Sequence, residues 1–371
     1  MQNFVFQSPT RILFGKGKRN QFGKETARYG KKVLLVYGRN SIQQHSTYKE
    51  VINSLAAEGL SIYDHGGVKP NPLLSHARKG VLLAKEKKID VVAAVGGGSV
   101  IDTAKAICAG ALVEHDLWQF FRGKKSIRCK LPLVTLPTIA GSGSDMNGGM
   151  VLTNEERQEK IGIGNRLLHP ETSILDPELT KTVPADYTVY GAVDTLAHML
   201  EFYFTTEQEG ITAQKNLIEG LIKTCMESCE YVLKDPADYN NRAALMWCSS
   251  LALSGYTAAG LGRVGFPMHL VEHSLSALYD VPHGAGLSVI LPAWMSYQSS
   301  AKADKITRFA NHVLSEPVAP SHEMAKNGIS RIKKWLSNAG SPISLQELDI
   351  SAEAIPSIAA NTKPLARLWR L

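Results

Sequence analysis

The feature that most narrows what this chain can fold into is the run Gly96-Gly97-Gly98-Ser99, set directly after Ile89-Asp90-Val91-Val92-Ala93-Ala94-Val95. The apolar stretch reads as a buried strand, and the glycines end it where a helix is expected from about Val100. Glycine lets backbone approach a ligand closely, and a helix start offers unpaired N–H groups to an anion, so the arrangement suits a pyrophosphate. It is not the GxGxxG fingerprint, and three glycines after a strand describe a tight turn equally well.

Two more strands are expected, Lys32 to Tyr37 closing on Gly38 and Leu131 to Leu136. Continuous apolar strands separated by helical stretches imply a parallel sheet covered on both faces. The third strand runs into Pro137-Thr138-Ile139-Ala140-Gly141-Ser142-Gly143-Ser144-Asp145, small residues whose hydroxyls can bond phosphate and ribose. Two loops of this kind are harder to explain as turns than one. Lys160 follows and is a candidate for a phosphate or the carboxamide end of a nucleotide, although a lone lysine is commonly a solvated charge.

After about Pro184 helical periodicity dominates. The 371 residues suit two domains. Asp176-Pro177 and Val183-Pro184 punctuate the change, so residues 1–182 are assigned to an α/β domain and residues 183–371 to an all-α one. In the second half Asp194 and His198 stand four apart, on one helix face, able to grip one ion or simply to bond each other. Of eleven histidines, His269, His273 and His283 fall close together. Spacing alone pairs His269 with His273 and leaves His283 open.

Hydrophobic residues at 44% and charged residues at 20% describe an ordinary globular chain. The net charge of +7 is spread over scattered Lys and Arg with no basic, aromatic-interleaved helix, so nucleic acid is not expected as a partner and an anionic cofactor is. No apolar run reaches membrane-spanning length, and the start MQNFVFQSPTRILFGKG does not read as a secretory signal. No membrane association is expected. Cys108, Cys129, Cys225, Cys229 and Cys248 lack paired spacing, which fits a reducing, cytoplasmic setting.

Taken in order, GGGSVIDTAKAI, LPTIAGSGSDMN, SILDPELT, GAVDTLAHMLE and HLVEHSLSALYDVPHGAGL resemble the iron-containing (group III) alcohol dehydrogenase family, in its butanol dehydrogenase-like and NADPH-dependent aldehyde reductase branch. The resemblance implies a dehydroquinate synthase-like architecture, an α/β dinucleotide-binding domain followed by an all-α metal-binding domain. It implies Asp194, His198, His269 and His283 as ligands of Fe²⁺ or Zn²⁺, with His273 beside the nicotinamide. It extends the cofactor contacts to Gly38, Arg39, Asn40, Ser41, Asn71, Gly96, Gly97, Gly98, Ser99, Asp102, Thr135, Thr138, Ser144, Val151 and Lys160. The implied reaction is hydride exchange between NAD(P) and a small primary alcohol or aldehyde, the ion polarising the carbonyl and His273 relaying the proton. Asp145 and Ser142 replace the commoner Glu and Thr, and Arg39-Asn40 stands where two glycines are usual.

No acid follows the strand ending at Tyr37, where an NAD-selective site places one on the ribose. Gly38-Arg39-Asn40-Ser41 offers phosphate donors instead, so NADP(H) is expected over NAD(H). Phe4-Val5-Phe6 reads as an unpaired apolar strand, from which a homodimer is expected. Two other classes share parts of the pattern: a metal-dependent lyase or cyclase of the dehydroquinate synthase type, and a non-catalytic metal-binding protein. The first needs Lys and Arg around the metal, where Met199, Leu270, Val271 and Leu275 are expected to line an apolar pocket; the second needs no nucleotide loops.

Overall fold

The structure is a computed structural model and describes residues 1–39, 42, 46–315 and 321–370, apart from the side chains of residues 321 and 322. The chain divides into two compact units, 8–183 and a second made of residues 1–7 with 184–371.

The first unit is built on eight strands: β1 (Arg11–Phe14), β2 (Lys32–Gly38), β3 (Ser61–Val68), β4 (Val91–Gly96), β5 (Leu133–Pro137), β6 (Gly149–Asn154), β7 (Glu159–Gly164) and β8 (Thr172–Leu175). Six of them form one parallel sheet in the order β1-β8-β5-β4-β2-β3, while β6 and β7 make a separate antiparallel hairpin. β2, β4 and β5 start and stop within two residues of the expected positions, and the other five strands were not anticipated. Their apolar runs are continuous because both faces of the sheet are covered. Val33, Leu35 and Tyr37 with Val91, Ala93 and Val95 face one core, shared with Phe22 of α1 (Phe22–Ala27) and Val51 and Leu55 of α2 (Thr47–Ala57). Leu34, Val36, Val92 and Ala94 face the other, shared with Ala84 of α3 (Leu74–Lys87) and Ile101, Ala104 and Ile107 of α4 (Gly98–Gly110). A short α5 (Trp118–Phe121) follows α4.

The second unit is helical: α6 (Ala185–Thr205), α7 (Thr212–Lys234), α8 (Tyr239–Ala252), α9 (Pro267–Tyr279), α10 (His283–Tyr297), α11 (Ala303–His312), α12 (Ser321–Asn338) and α13 (Ile355–Trp369). From Val189 to Phe204 nearly every side chain of α6 is buried, so this helix is the core of its unit rather than an amphipathic cover.

Residues 1–10 form no strand, which corrects the expectation for Phe4-Val5-Phe6. A strand needs a hydrogen-bonding edge, and this segment lies against the turns that follow α8 instead. The Gln2 N–H donates to Gly260 O at 3.0 Å, and the Phe6 ring lies against Tyr256 with centroids 5.6 Å apart.

Candidate metal centre and nucleotide loops

The centre is assembled from the interior of α6. Asp194, His198 and Glu201 lie at positions i, i+4 and i+7, which in a helix share one face, and all three are buried. A second helix, α9, supplies His269, and the first residue of α10 supplies His283. What lets α10 approach is Gly284, where any Cβ would run into the backbone of Tyr190, one turn before Asp194 on α6. The Pro-His-Gly sequence is therefore a close-packing device that delivers His283.

The Nε2 atoms of His198, His269 and His283 each lie 3.5 Å from Asp194 Oδ1. A tetrahedral ion with ligands at about 2.1 Å would have edges of about 3.4 Å, which is the length of the three edges that meet at Asp194 Oδ1. Asp194 Oδ1 and His269 Nε2 are buried with no hydrogen bond among the described residues, an arrangement that is costly unless something positive joins them. The His198 and His269 rings stack at 4.5 Å, so the two imidazoles present their nitrogens side by side.

Two glutamates that the sequence reading missed hold the imidazoles. Glu201 accepts from His269 Nδ1 at 2.5 Å and from the N–H groups of Met268 and His269 at 2.6 and 3.0 Å. Glu272 accepts from His283 Nδ1 and from the Ser276 hydroxyl. Both carboxylates are fully buried. Each directs the Nε2 of its histidine towards Asp194, the outer-shell role that fixes a metal-binding tautomer. The signal was present, since Glu201 sits one turn beyond His198 and Glu272 three residues after His269.

Charge in the cluster is strongly coupled. Burial pushes the Asp194 carboxyl up, but His198, His283 and His269 together hold it well below the usual range. Burial also pulls His198 down, to about 3, against the attraction of Asp194. His269 goes the other way, to about 10, because Glu201 and Asp194 outweigh the burial that would lower it. A carboxylate and imidazoles so disposed favour a cation, which is the charge an N/O donor set would accept as Fe²⁺ or Zn²⁺.

His273 is buried on α9, one turn after His269, with its ring 6.3 Å from that of His269 and 5.7 Å from that of His283. It is not among the three nitrogens around Asp194 Oδ1. Val271 and Leu275, expected to line an apolar pocket, instead pack with Val281, Ile350 and Ile358. Positions 271, 275 and 278 share one face of α9 while 269, 272, 273 and 276 share another, and both faces are covered.

In the first unit the two glycine-bearing loops lie together. They leave the carboxyl ends of the neighbouring strands β4 and β5, where Gly96 pairs with Pro137 and Thr138 N–H donates to Gly96 O at 3.2 Å. Gly97 is extended and caps α4 with no side chain, its carbonyl accepting from Val100 N–H at 3.0 Å. A Cβ at Gly98 would strike Ser142 and one at Gly97 would strike Ile139, so only glycine allows the loops to touch. The Ser99 hydroxyl donates to Pro70 O. Lys160 and Asn71 are both buried, joined by a 3.0 Å bond from Nζ to Oδ1, so Lys160 is not the solvated lysine that its type suggests. Asp102 accepts from the Ser144 hydroxyl at 2.5 Å and from Val151 N–H at 2.9 Å. Thr135 is fully buried with its hydroxyl 2.6 Å from that of Ser173, so it supports the loop from within the sheet. Gly38 and the exposed Arg39 end β2; Asn40 and Ser41 lie outside the described residues.

A parallel sheet with two glycine-bearing loops at its carboxyl edge, and a helical unit carrying a three-histidine, one-aspartate cluster, fit the class of metal- and nucleotide-dependent enzymes. The match to family models is direct: residues 9–177 fit "Iron-containing alcohol dehydrogenase" and residues 188–365 fit "Fe-containing alcohol dehydrogenase family, C-terminal". The chain is 38% identical over 361 residues to "Probable NADH-dependent butanol dehydrogenase 1" of Bacillus subtilis, covering 97% of this chain and 93% of the relative. It is 29% identical to "NADPH-dependent aldehyde reductase YqhD" of Escherichia coli over 96% of this chain and 92% of that one. The crystal structure of NADH-dependent butanol dehydrogenase A from Thermotoga maritima superposes with a TM-score of 0.95 at 42% identity, covering 99% of this chain and 92% of that one. This chain belongs to the iron-containing alcohol dehydrogenase family. Within that family it is an NAD(P)-dependent alcohol dehydrogenase.

Proposed function

We propose that this enzyme interconverts small aldehydes and primary alcohols, working chiefly as an aldehyde reductase, with a divalent metal, iron before zinc, held by Asp194, His198, His269 and His283. The observation that carries the proposal is the set of three imidazole nitrogens equidistant, at 3.5 Å, from one unbonded carboxylate oxygen. A bound ion would polarise the substrate carbonyl, and a nicotinamide would supply the hydride. The chain's own residues do the rest. Glu201 and Glu272 hold two of the imidazoles in the tautomer that presents Nε2. His273, buried beside them and outside the ligand set, is the side chain positioned to pass a proton to the product oxygen.

The nucleotide is held by residues 8–183, with its pyrophosphate on the Gly97 to Ser99 turn and its ribose against the Thr138 to Ser144 loop. NADP(H) is preferred over NAD(H), because Arg39 stands exposed at the end of β2 and no acid replaces it there. The relatives' names are mixed on this point, NADH in butanol dehydrogenases and NADPH in the E. coli reductase. A cytoplasmic homodimer is the expected form. Among the described residues no helix is long and apolar enough to cross a membrane, and Phe4, Val5 and Phe6 leave an apolar segment for a second copy to cover.

The deciding measurement is the oxidation of NADPH and of NADH by iron-loaded, zinc-loaded and metal-stripped protein with a series of short-chain aldehydes. Turnover should need metal. If the metal-loaded protein oxidises neither nucleotide with any aldehyde of the series, the proposal fails.

A further inference from the structure

The helix α4 carries a charge that no role described so far uses. Lys105 is fully buried, and its Nζ donates to Asn147 O at 2.8 Å, to Asn147 Oδ1 at 3.1 Å and to Gly149 O at 2.7 Å. An ammonium has three donors on one atom, and here three oxygens converge on it; no neutral side chain could satisfy all of them from one point. Burying that charge is costly, and it pulls the lysine down to about 8, even though Asp102 and Asp145 act in the other direction. A leucine would fill the space but leave those oxygens without their donor, so the lysine's contribution lies in what it holds.

What it holds is the second nucleotide loop. Asn147 reaches back with Nδ2 to Gly143 O at 2.8 Å and forward with Oδ1 to Gly149 N–H at 2.7 Å. Asp102, one turn before Lys105 on α4, accepts from Ser144 and Val151. Residues 143 to 151 are thus pinned at intervals to the body of the helix whose first turn is the other nucleotide loop. The close fit of Gly98 against Ser142 means that a shift of the pinned segment would part the loops or drive them together.

We propose that Lys105 is a positioning residue for nucleotide binding, acting with Asp102 as a clamp that sets the spacing between the loop at Gly97 to Ser99 and the loop at Ser142 to Val151. This rests on the reading of those loops as the nucleotide site. A dinucleotide contacts both loops at once, so an error in their spacing is felt in its binding and not in the metal centre.

The test uses the full-length, metal-loaded protein and two variants, Lys105→Met, which keeps length and apolar bulk, and Lys105→Gln, which keeps two donors. Hydrogen exchange is followed across the backbone, and NADPH and NADH binding by fluorescence titration. In Lys105→Met exchange should rise within residues 142–151, and the Kd for both nucleotides should rise at least tenfold. Bound metal and the KM for aldehyde should stay within twofold, a split that general loosening of the fold would not give. Lys105→Gln should fall between this variant and the wild type. A folded Lys105→Met with nucleotide Kd within twofold of wild type, or with unchanged exchange at 142–151, overturns the clamp. Should Lys105→Met not fold, Lys105→Gln is judged by the same two measurements against the wild type. Wild-type protein that binds neither nucleotide would instead remove the nucleotide reading of the loops, a different failure.

Discussion

Glu272 and His283 form a hydrogen-bonded pair, the buried carboxylate accepting from Nδ1 of a partly buried ring whose Nε2 lies 3.5 Å from Asp194 Oδ1. Glu201 bears the same relation to His269. Glu201→Gln and Glu272→Gln each keep the volume but lose the charge that strengthens their imidazole as a ligand. Metal affinity should fall about ten- to a hundredfold in each, with the helical content intact. Competition against a chelator of known affinity measures it; unchanged affinity in both variants would mean that the imidazoles are held by packing alone.

His269→Ala and His283→Ala should each lose bound metal together with activity, because each removes one corner of the cluster around Asp194. His273→Ala should retain the metal and be slowed. The competing arrangement pairs His269 with His273 at helical spacing. Metal analysis of the purified variants separates the two, and metal lost from His273→Ala but kept by His283→Ala would reverse the assignment.

Arg39 gives the cofactor prediction. A guanidinium on a 2′-phosphate contributes about 1.5–3 kcal/mol, equivalent to roughly ten- to a hundredfold in kcat/KM for NADPH over NADH. Arg39→Asp should invert that ratio by placing a carboxylate where the phosphate would sit. Equal efficiencies in the wild type, or a ratio that Arg39→Asp leaves unmoved, would take Arg39 out of cofactor choice.

In the α/β unit His65 and His76 stack at 4.3 Å, and burial followed by the nearby His76 pulls His65 down to about 4. Its ordinary value is 6.5, so between these limits the unfolded chain takes up a proton that the native ring refuses. The stability contributed by the neutral ring is present above pH 6.5 and is lost as pH falls towards 4. His65→Gln cannot titrate, so the wild type should lose about 2 kcal/mol relative to it between pH 7 and pH 5. Urea unfolding at pH 7 and pH 5 reads the difference, and parallel losses in the two proteins would rule out His65 as the acid-sensitive group.

Much of this architecture is legible in the sequence because it depends on local pattern. The strands at Val33 and Val91 stand out because both faces of the sheet are buried, and the loops after β4 and β5 because glycine and small hydroxyl residues cluster. Spacing could place Asp194 with His198, but not choose between His273 and His283. That choice turns on Gly284 meeting Tyr190, a contact between helices far apart in sequence, and the family resemblance was needed to anticipate it. Lys105 escaped notice because lysine in a helix suggests solvent, although its neighbours from Val100 to Gly110 are almost all buried. Val271 and Leu275 misled for a related reason: α9 is covered on both faces, so an apolar residue beside a ligand need not share the ligand's surroundings.

The allotment of residues 1–7 to the helical unit bears on how the protein is made. Residues 8–183 are one unbroken stretch, and they are made before any residue of 184–371. Their sheet can close at that stage, as domains do in the order of their synthesis. The helical unit is split between the two ends of the chain, so its earliest residues must wait for its last. Asp194 and His198 are translated well before His283, so a metal held by the proposed set could be captured only after α10 has been made.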